Sequence, residues 1–256
     1  MSPYLAEFLG TAILITLGEG VVANVVLSRT KGHNAGWIVI TAGWGMAVFV
    51  AVLCVGKYSG AHINPAVTLA LAAAHKFDDK FKSWHDVPLF ILCQMAGAFV
   101  GAIVVYLVHA PYFRATEDPD AKLGVFATSP NIRCYCNAFL CEVVGTFVLV
   151  LPIFLMVSPT LSYSTGTPTK LEMPIGLGAV GALPIGLIVF AIGLCLGGPT
   201  GYAINPARDL APRLAHALLP IPGKRNSDWP YAWIPTLAPL AGGLLAAWLA
   251  RHLHTV

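Results

Sequence analysis

Two copies of Asn-Pro-Ala, at Asn64–Ala66 and Asn205–Ala207, each precede an apolar run too short to cross a membrane. These runs cover roughly 67–74 and 208–219. An α-helix rises ~1.5 Å per residue, so about ten residues reach only partway through a hydrocarbon core ~30 Å thick. Half-length segments at matching places in two halves of a chain point to a solute path at the membrane midplane.

Six other runs are long enough to cross: 4–27, 36–56, 88–109, 138–157, 175–196 and 231–250. The chain is 57% hydrophobic and only 11% charged. Soluble domains carry about 25% charged residues, so a water-facing surface cannot be furnished here and a membrane protein is expected. The net charge of +3 is spread over loops without a basic cluster, which excludes nucleic acid as a partner. The first run opens at Tyr4 with no Lys or Arg before it and outlasts the apolar stretch of a signal peptide. It is expected to be a retained transmembrane helix.

Parity then matters. Three crossings per half place the second half upside down relative to the first, so the two half-helices enter from opposite faces and their N-termini meet. The halves also echo one another in sequence. Ala6–Thr11 is matched by Cys141–Thr146, His62–Ala66 by Ala203–Ala207, and Ala96–Ala98 by Ala241–Gly243. The expected organisation is one channel domain with a first repeat over 1–109, a second over 137–256, and a connector over 110–136 that needs no helix of its own. Charge does not orient it. With the N-terminus inside, six Lys and Arg fall in inward loops and eight in outward ones, against the positive-inside rule.

Proline suits the first turn of a helix, where its missing N–H has no partner to lose, and it pushes the preceding residue into cap geometry. An Asn cap accepts a helix N–H through its side-chain oxygen and keeps its NH₂ for outward donation. Two such caps facing each other, Asn64-Pro65-Ala66 and Asn205-Pro206-Ala207, set two donors in an apolar tube, with about half a positive charge from each helix end. A water held by both donors turns its hydrogens away in both directions, which breaks a proton wire, and cations meet an unfavourable potential. The Gly-rich stretches before the caps are too irregular for helix. Extended backbone at that depth must line water or be buried in protein. The carbonyls of Gly60, Ala61, His62, Gly201 and Ala203 would then form a ladder of acceptors for hydroxyl protons.

The segments Ser59–Thr68 and Gly201–Asp209, with Ala6–Thr11 and Gln94–Phe99, resemble the signatures of the aquaporin, or major intrinsic protein, family. The resemblance covers nearly the whole chain and is strongest to bacterial glycerol facilitators. It implies an all-α membrane protein of six transmembrane helices and two re-entrant half-helices in an inverted repeat, in the bacterial plasma membrane. It also implies a homotetramer with a pore in each subunit. Within each pore it places a selectivity filter towards the outer mouth. Arg208 supplies the filter's fixed donor, Trp44 and Tyr202 its aromatic walls, and Gly193 stands where strict water channels carry His and leaves room. Asp209 and Pro239-Leu240 also look like the glycerol-conducting branch. Tyr202 departs from the Phe found in many glycerol facilitators. Asp209 and Arg213, at i and i+4, are read as a shaping pair, worth only a few tenths of a kcal/mol (~0.3) if exposed.

Other residues have plainer readings. Glu7 and Glu142 occupy equivalent sites and are expected to accept hydrogen bonds from the irregular backbone rather than relay protons. His62 is read as a neutral ring packed beside the pore rather than a titrating gate. Gly97 and Gly101 form a GxxxG that favours close helix packing. Glu19, an extra acid inside the first crossing, is expected in a polar contact near the outer vestibule or a subunit interface. The six cysteines are read as free thiols.

The function expected is passive conduction of glycerol and similar small uncharged solutes, with some water, against ions and protons. The alternatives are the same fold carrying mainly water, ammonia, urea or a small neutral acid, and an ion-coupled transporter, which would need an ionisable group where the neutral caps stand. No HExxH or GxSxG motif occurs, so no enzyme is expected, and no cofactor or metal is called for. The expected partners are the solutes, membrane lipid and further copies of the chain.

Overall fold

Side-chain caps set where several of the helices start. A computed structural model describes residues 1–157, 159–164 and 170–253. Ser2 Oγ accepts the Leu5 amide and Pro3 opens α1, Pro3–Val26; α2 follows over Trp37–Ser59. Asn64 caps the short α3, Pro65–Ala73, and α4 runs Val87–Ala115. Asp118 caps α5, Pro119–Phe126, and α6 covers Tyr135–Leu155. A small antiparallel hairpin, β1 Thr160–Ser164 with β2 Lys170–Pro174, lies between α6 and α7, Leu183–Leu196. Asn205 caps α8, Pro206–Leu218, and α9 spans Trp233–His252.

Among the described residues, six segments are long and apolar enough to cross a membrane: α1, α2, α4, α6, α7 with a leading 3-10 turn, and α9. The two half-helices are α3 and α8, and they begin at the prolines rather than at Val67 and Arg208. The hairpin is the one departure from all-helical structure among the described residues, and it lies outside the crossings.

Packing obeys the internal symmetry. α1 lies on α4 and α2, while α6 lies on α9 and α7. Each half-helix packs against the other repeat, α3 on α9 and α8 on α4, and α2 meets α7 across the middle. Lipid tails give helices no hydrophobic reason to associate, so close approach rests on small residues. A Cβ at Gly97 would lie 2.1 Å from the Phe8 carbonyl oxygen, and one at Gly242 would lie 2.3 Å from that of Val143. Where α2 crosses α7, a Cβ on Gly45 would meet the Gly186 carbonyl at 2.8 Å, and one on Gly186 the Gly45 carbonyl at 2.6 Å. The outward faces carry exposed Leu92, Leu107, Val108, Leu140 and Leu237, an apolar belt suited to hydrocarbon.

The connector differs from the sequence expectation. α4 continues through Pro111 to Ala115, and α5 is a helix where none was foreseen. Its cause is local and tertiary together. Asp118 Oδ1 accepts the Asp120 amide at 2.8 Å and Pro119 takes the first turn, the same cap grammar as Asn-Pro. Phe126 then stacks on Phe113 at 5.6 Å, which buries both rings. The fifth crossing is also shorter than 175–196, because Gly176, Gly178 and Gly181 favour turns before Pro184.

Candidate pore

The two caps meet. Asn64 Oδ1 accepts the Ala66 amide at 2.9 Å, and Asn205 Oδ1 accepts that of Ala207 at 3.0 Å. Their φ, ψ pairs are nearly the same, −158°, 120° and −156°, 110°. Each amide NH₂ reaches across the repeat boundary: Asn64 donates to the Ile204 carbonyl and Asn205 to the Ile63 carbonyl, both at 2.8 Å. The NH₂ groups are therefore half-engaged, where sequence reasoning left them wholly free. Each keeps one hydrogen.

The backbone leading into each cap is strained in the same way twice. Ala61 and Ile63 have φ of 51° and 43°, and Tyr202 and Ile204 have 39° and 45°. Left-handed conformations are costly for β-branched isoleucine and persist only when the surroundings hold them. Two buried carboxylates do so. Glu7 accepts the amides of His62 (2.9 Å) and Ile63 (2.6 Å), with Ser59 Oγ and Gln94 Nε2 completing its set. Glu142 accepts the amides of Ala203 (2.9 Å) and Ile204 (2.8 Å) and the Thr200 hydroxyl. Ser59 and Thr200 also accept the Ala61 and Tyr202 amides, so both repeats use one hydroxyl turn. That paired hydroxyl was visible in the sequence, at the same offset before each Asn, and was overlooked. So was Gln94, which also donates to Thr68 Oγ1.

Two cavities run along this backbone. The inner one offers about 70 Å³ to the centre of a water-sized solute. Val48, Val52, Val67, Leu149, Ile185 and Val189 form its apolar side, and Ala61, His62, Ala203 and the two Asn caps its polar side. The wider one, about 950 Å³, is a vestibule with polar and charged walls that include Asn131, Arg133 and Gly201. Trp44, Tyr202 and Arg208 line both cavities, so they stand at the junction. The Arg208 guanidinium lies over the Trp44 ring, 4.1 Å from its centre.

Gly193 lies behind this junction and not in it. A Cβ there would fall 2.9 Å from Tyr202 Cζ and 2.8 Å from Thr41 Cγ2, so the room it leaves is taken by those side chains. Its carbonyl accepts Trp37 Nε1 at 2.9 Å, and Trp37 meets the Tyr202 ring edge-on at 5.8 Å. Gly60 is exposed and lines neither cavity. His62 has its ring against Phe81 and Phe90, at 4.8 and 5.0 Å, with Nδ1 3.1 Å from Thr68 Oγ1.

Asp209 and Arg213 form a two-point ion pair with both side chains fully buried, so the price set for an exposed pair does not apply. Arg213 also donates to the carbonyls of Ser227, Asp228 and Thr128, while Asp209 accepts the Thr128 amide and hydroxyl at 2.7 Å. The pair ties the connector to the half-helix, and Thr128 in turn packs on Gly201. Nothing in the sequence marked Thr128. Glu19 is wholly buried inside the subunit and lines neither cavity. Cys134 and Cys136 are exposed free thiols at the start of α6.

Comparison with known proteins finds relatives along nearly the whole chain. The family model described as major intrinsic protein matches residues 1–250. A probable glycerol uptake facilitator protein of Thermotoga maritima is 53% identical over 99% of this chain and all of its own length. The glycerol uptake facilitator protein of Bacillus subtilis is 46% identical over 95% of this chain and 81% of its own. Among solved structures, the aquaglyceroporin from Plasmodium falciparum superposes with a TM-score of 0.78 at 32% identity, covering 96% of this chain and 93% of that one.

Proposed function

Since the chain belongs to the major intrinsic protein family, we infer that it is a passive channel carrying glycerol across a bacterial cell membrane. The observation that carries this reading is the junction of the two cavities, which two aromatic rings, Trp44 and Tyr202, line together with the Arg208 guanidinium. Glycerol has a CH edge and a hydroxyl edge. Trp44 and Tyr202 accommodate the first and Arg208 donates to the second.

Beyond the junction the solute meets the same division of labour. Aliphatic side chains face its carbons, and the carbonyls of the strained backbone, those of Ala61, His62 and Ala203 among them, accept its hydroxyl protons. At the neck, Asn64 and Asn205 each give their remaining N–H to a hydroxyl oxygen or a water. Ions lose hydration here without replacement, and cations also face two helix N-termini. Because both Asn donate to one water, its hydrogens point outward and no proton wire forms.

Conduction is downhill, a reading supported by the neutral side chains that cap both half-helices at the neck. Urea and water fit the same path as lesser cargo. The functional unit is a homotetramer set in lipid, with one pore in each copy. Purified protein in liposomes under glycerol, urea and sorbitol gradients tests the reading. Glycerol should enter fast and sorbitol should not; glycerol entry matching that of empty vesicles would overturn it.

A further inference from the structure

The two arginines of α8 are held very differently. Arg213 has Asp209 and three carbonyls around it. Arg208 has only the face of Trp44. Its Nη1 is buried without a hydrogen-bond partner, and its guanidinium makes no ion pair among the described residues.

α1 brings a carboxyl to the same region. Glu19 is fully buried, and neither of its oxygens has a hydrogen-bond partner. The charges acting on it are those of Arg208 and Asp209, and Asp209 is already matched by Arg213. Gly18, beside it in the chain, lies under the six-membered ring of Trp44, where a Cβ would fall 2.2 Å from Cζ3. Glu19 thus comes to the back of the filter, on the side away from the lumen. Leaving such groups unsatisfied is expensive, and buried water with about three hydrogen bonds is the usual remedy.

We propose that Glu19 is a positioning residue for Arg208, binding its Nη1 through one buried water and so aiming the remaining N–H donors at the solute. The proposal rests on Arg208 as the filter donor. A carboxyl or an amide can serve that water, whereas an alkyl side chain cannot.

Glu19→Gln and Glu19→Leu, assayed in liposomes for glycerol, urea and water entry, provide the test. Size-exclusion yield reports how much folded channel each preparation holds, and water entry shows that its pore is open. Glu19→Gln should stay within about twofold of the parent, while Glu19→Leu should lose about tenfold in glycerol entry relative to water, the scale of one lost hydrogen bond. Its glycerol-to-urea ratio should fall as well. Wild-type ratios in Glu19→Leu, or equal damage in both variants, would overturn the proposal. A high-resolution map of the parent protein gives a second reading that needs no variant to fold. Density for a water between Glu19 and Arg208 Nη1 supports the assignment, and its absence refutes it. A parent channel that passes no glycerol would sink the proposed cargo, while the map would still decide whether the water is there.

Discussion

Asn64 donates to the carbonyl of the residue preceding Asn205, and Asn205 donates to the carbonyl of the residue preceding Asn64. The two caps are therefore coupled through backbone 140 and 142 residues away in sequence. Neither half-helix start can shift without loosening the other.

Asn64→Asp separates the two tasks of that side chain. The carboxylate still caps the Ala66 amide, but it cannot donate to Ile204 and it brings negative charge to the neck. Folded yield should fall, since the buried carboxylate faces the Ile204 carbonyl unpaired; in the channel that survives, glycerol entry should fall about tenfold for the lost donor and a cation leak should appear. Liposome flux with a potential-sensitive dye reads both.

Glu7→Gln should damage assembly more than selection. Both Glu7 oxygens accept, and an amide nitrogen in place of either one faces a donor. Each buried polar group left unpaired costs about 1–3 kcal/mol, so thermal stability in detergent should drop clearly. The glycerol-to-urea ratio of the surviving protein should match the parent. An altered ratio at unchanged stability would contradict the holding role given to Glu7.

Arg213→Met leaves Asp209 buried without its counter-charge, with only the Thr128 amide and hydroxyl still donating to it among the described residues. Breaking a buried pair from one side costs about 3–5 kcal/mol, whereas removing both charges costs much less. The double variant Asp209→Leu with Arg213→Met should therefore melt above Arg213→Met alone. Equal melting temperatures would show that the pair is not coupled.

Gly97→Ala forces α1 and α4 apart, since the added Cβ meets the Phe8 carbonyl oxygen at 2.1 Å. Folded yield should fall sharply. Gly20→Ala, in the same bundle with no atom within 4 Å of its Cβ, should be neutral or gain up to about 1 kcal/mol from helix propensity. Detergent melting curves compare the two.

Gly193→Ala pushes on Tyr202 from behind, because the Cβ would sit 2.9 Å from its ring. The ring can yield only towards the junction, so glycerol entry should fall more than water entry. Stopped-flow light scattering on one vesicle preparation gives both rates.

What was legible beforehand was whatever short-range chemistry governs. Span lengths follow from runs of apolar residues, the half-helix starts from Asn-Pro, and the inversion from counting crossings. Even α5 carries its signal, an Asp-Pro cap, masked by the loop-like composition of three prolines and three acids between 110 and 136. Its stability needed Phe113, and that contact belongs to the folded chain.

The amino-acid order alone determined that two capped stubs would face each other from opposite sides, because cap geometry and hydropathy act over a few residues. Only the three-dimensional structure decided what those stubs touch: the crossed Asn bonds, and the burial of Asp209 with Arg213 against Thr128. Such partners lie far apart along the chain, and burial and distance exist only once distant segments have packed together.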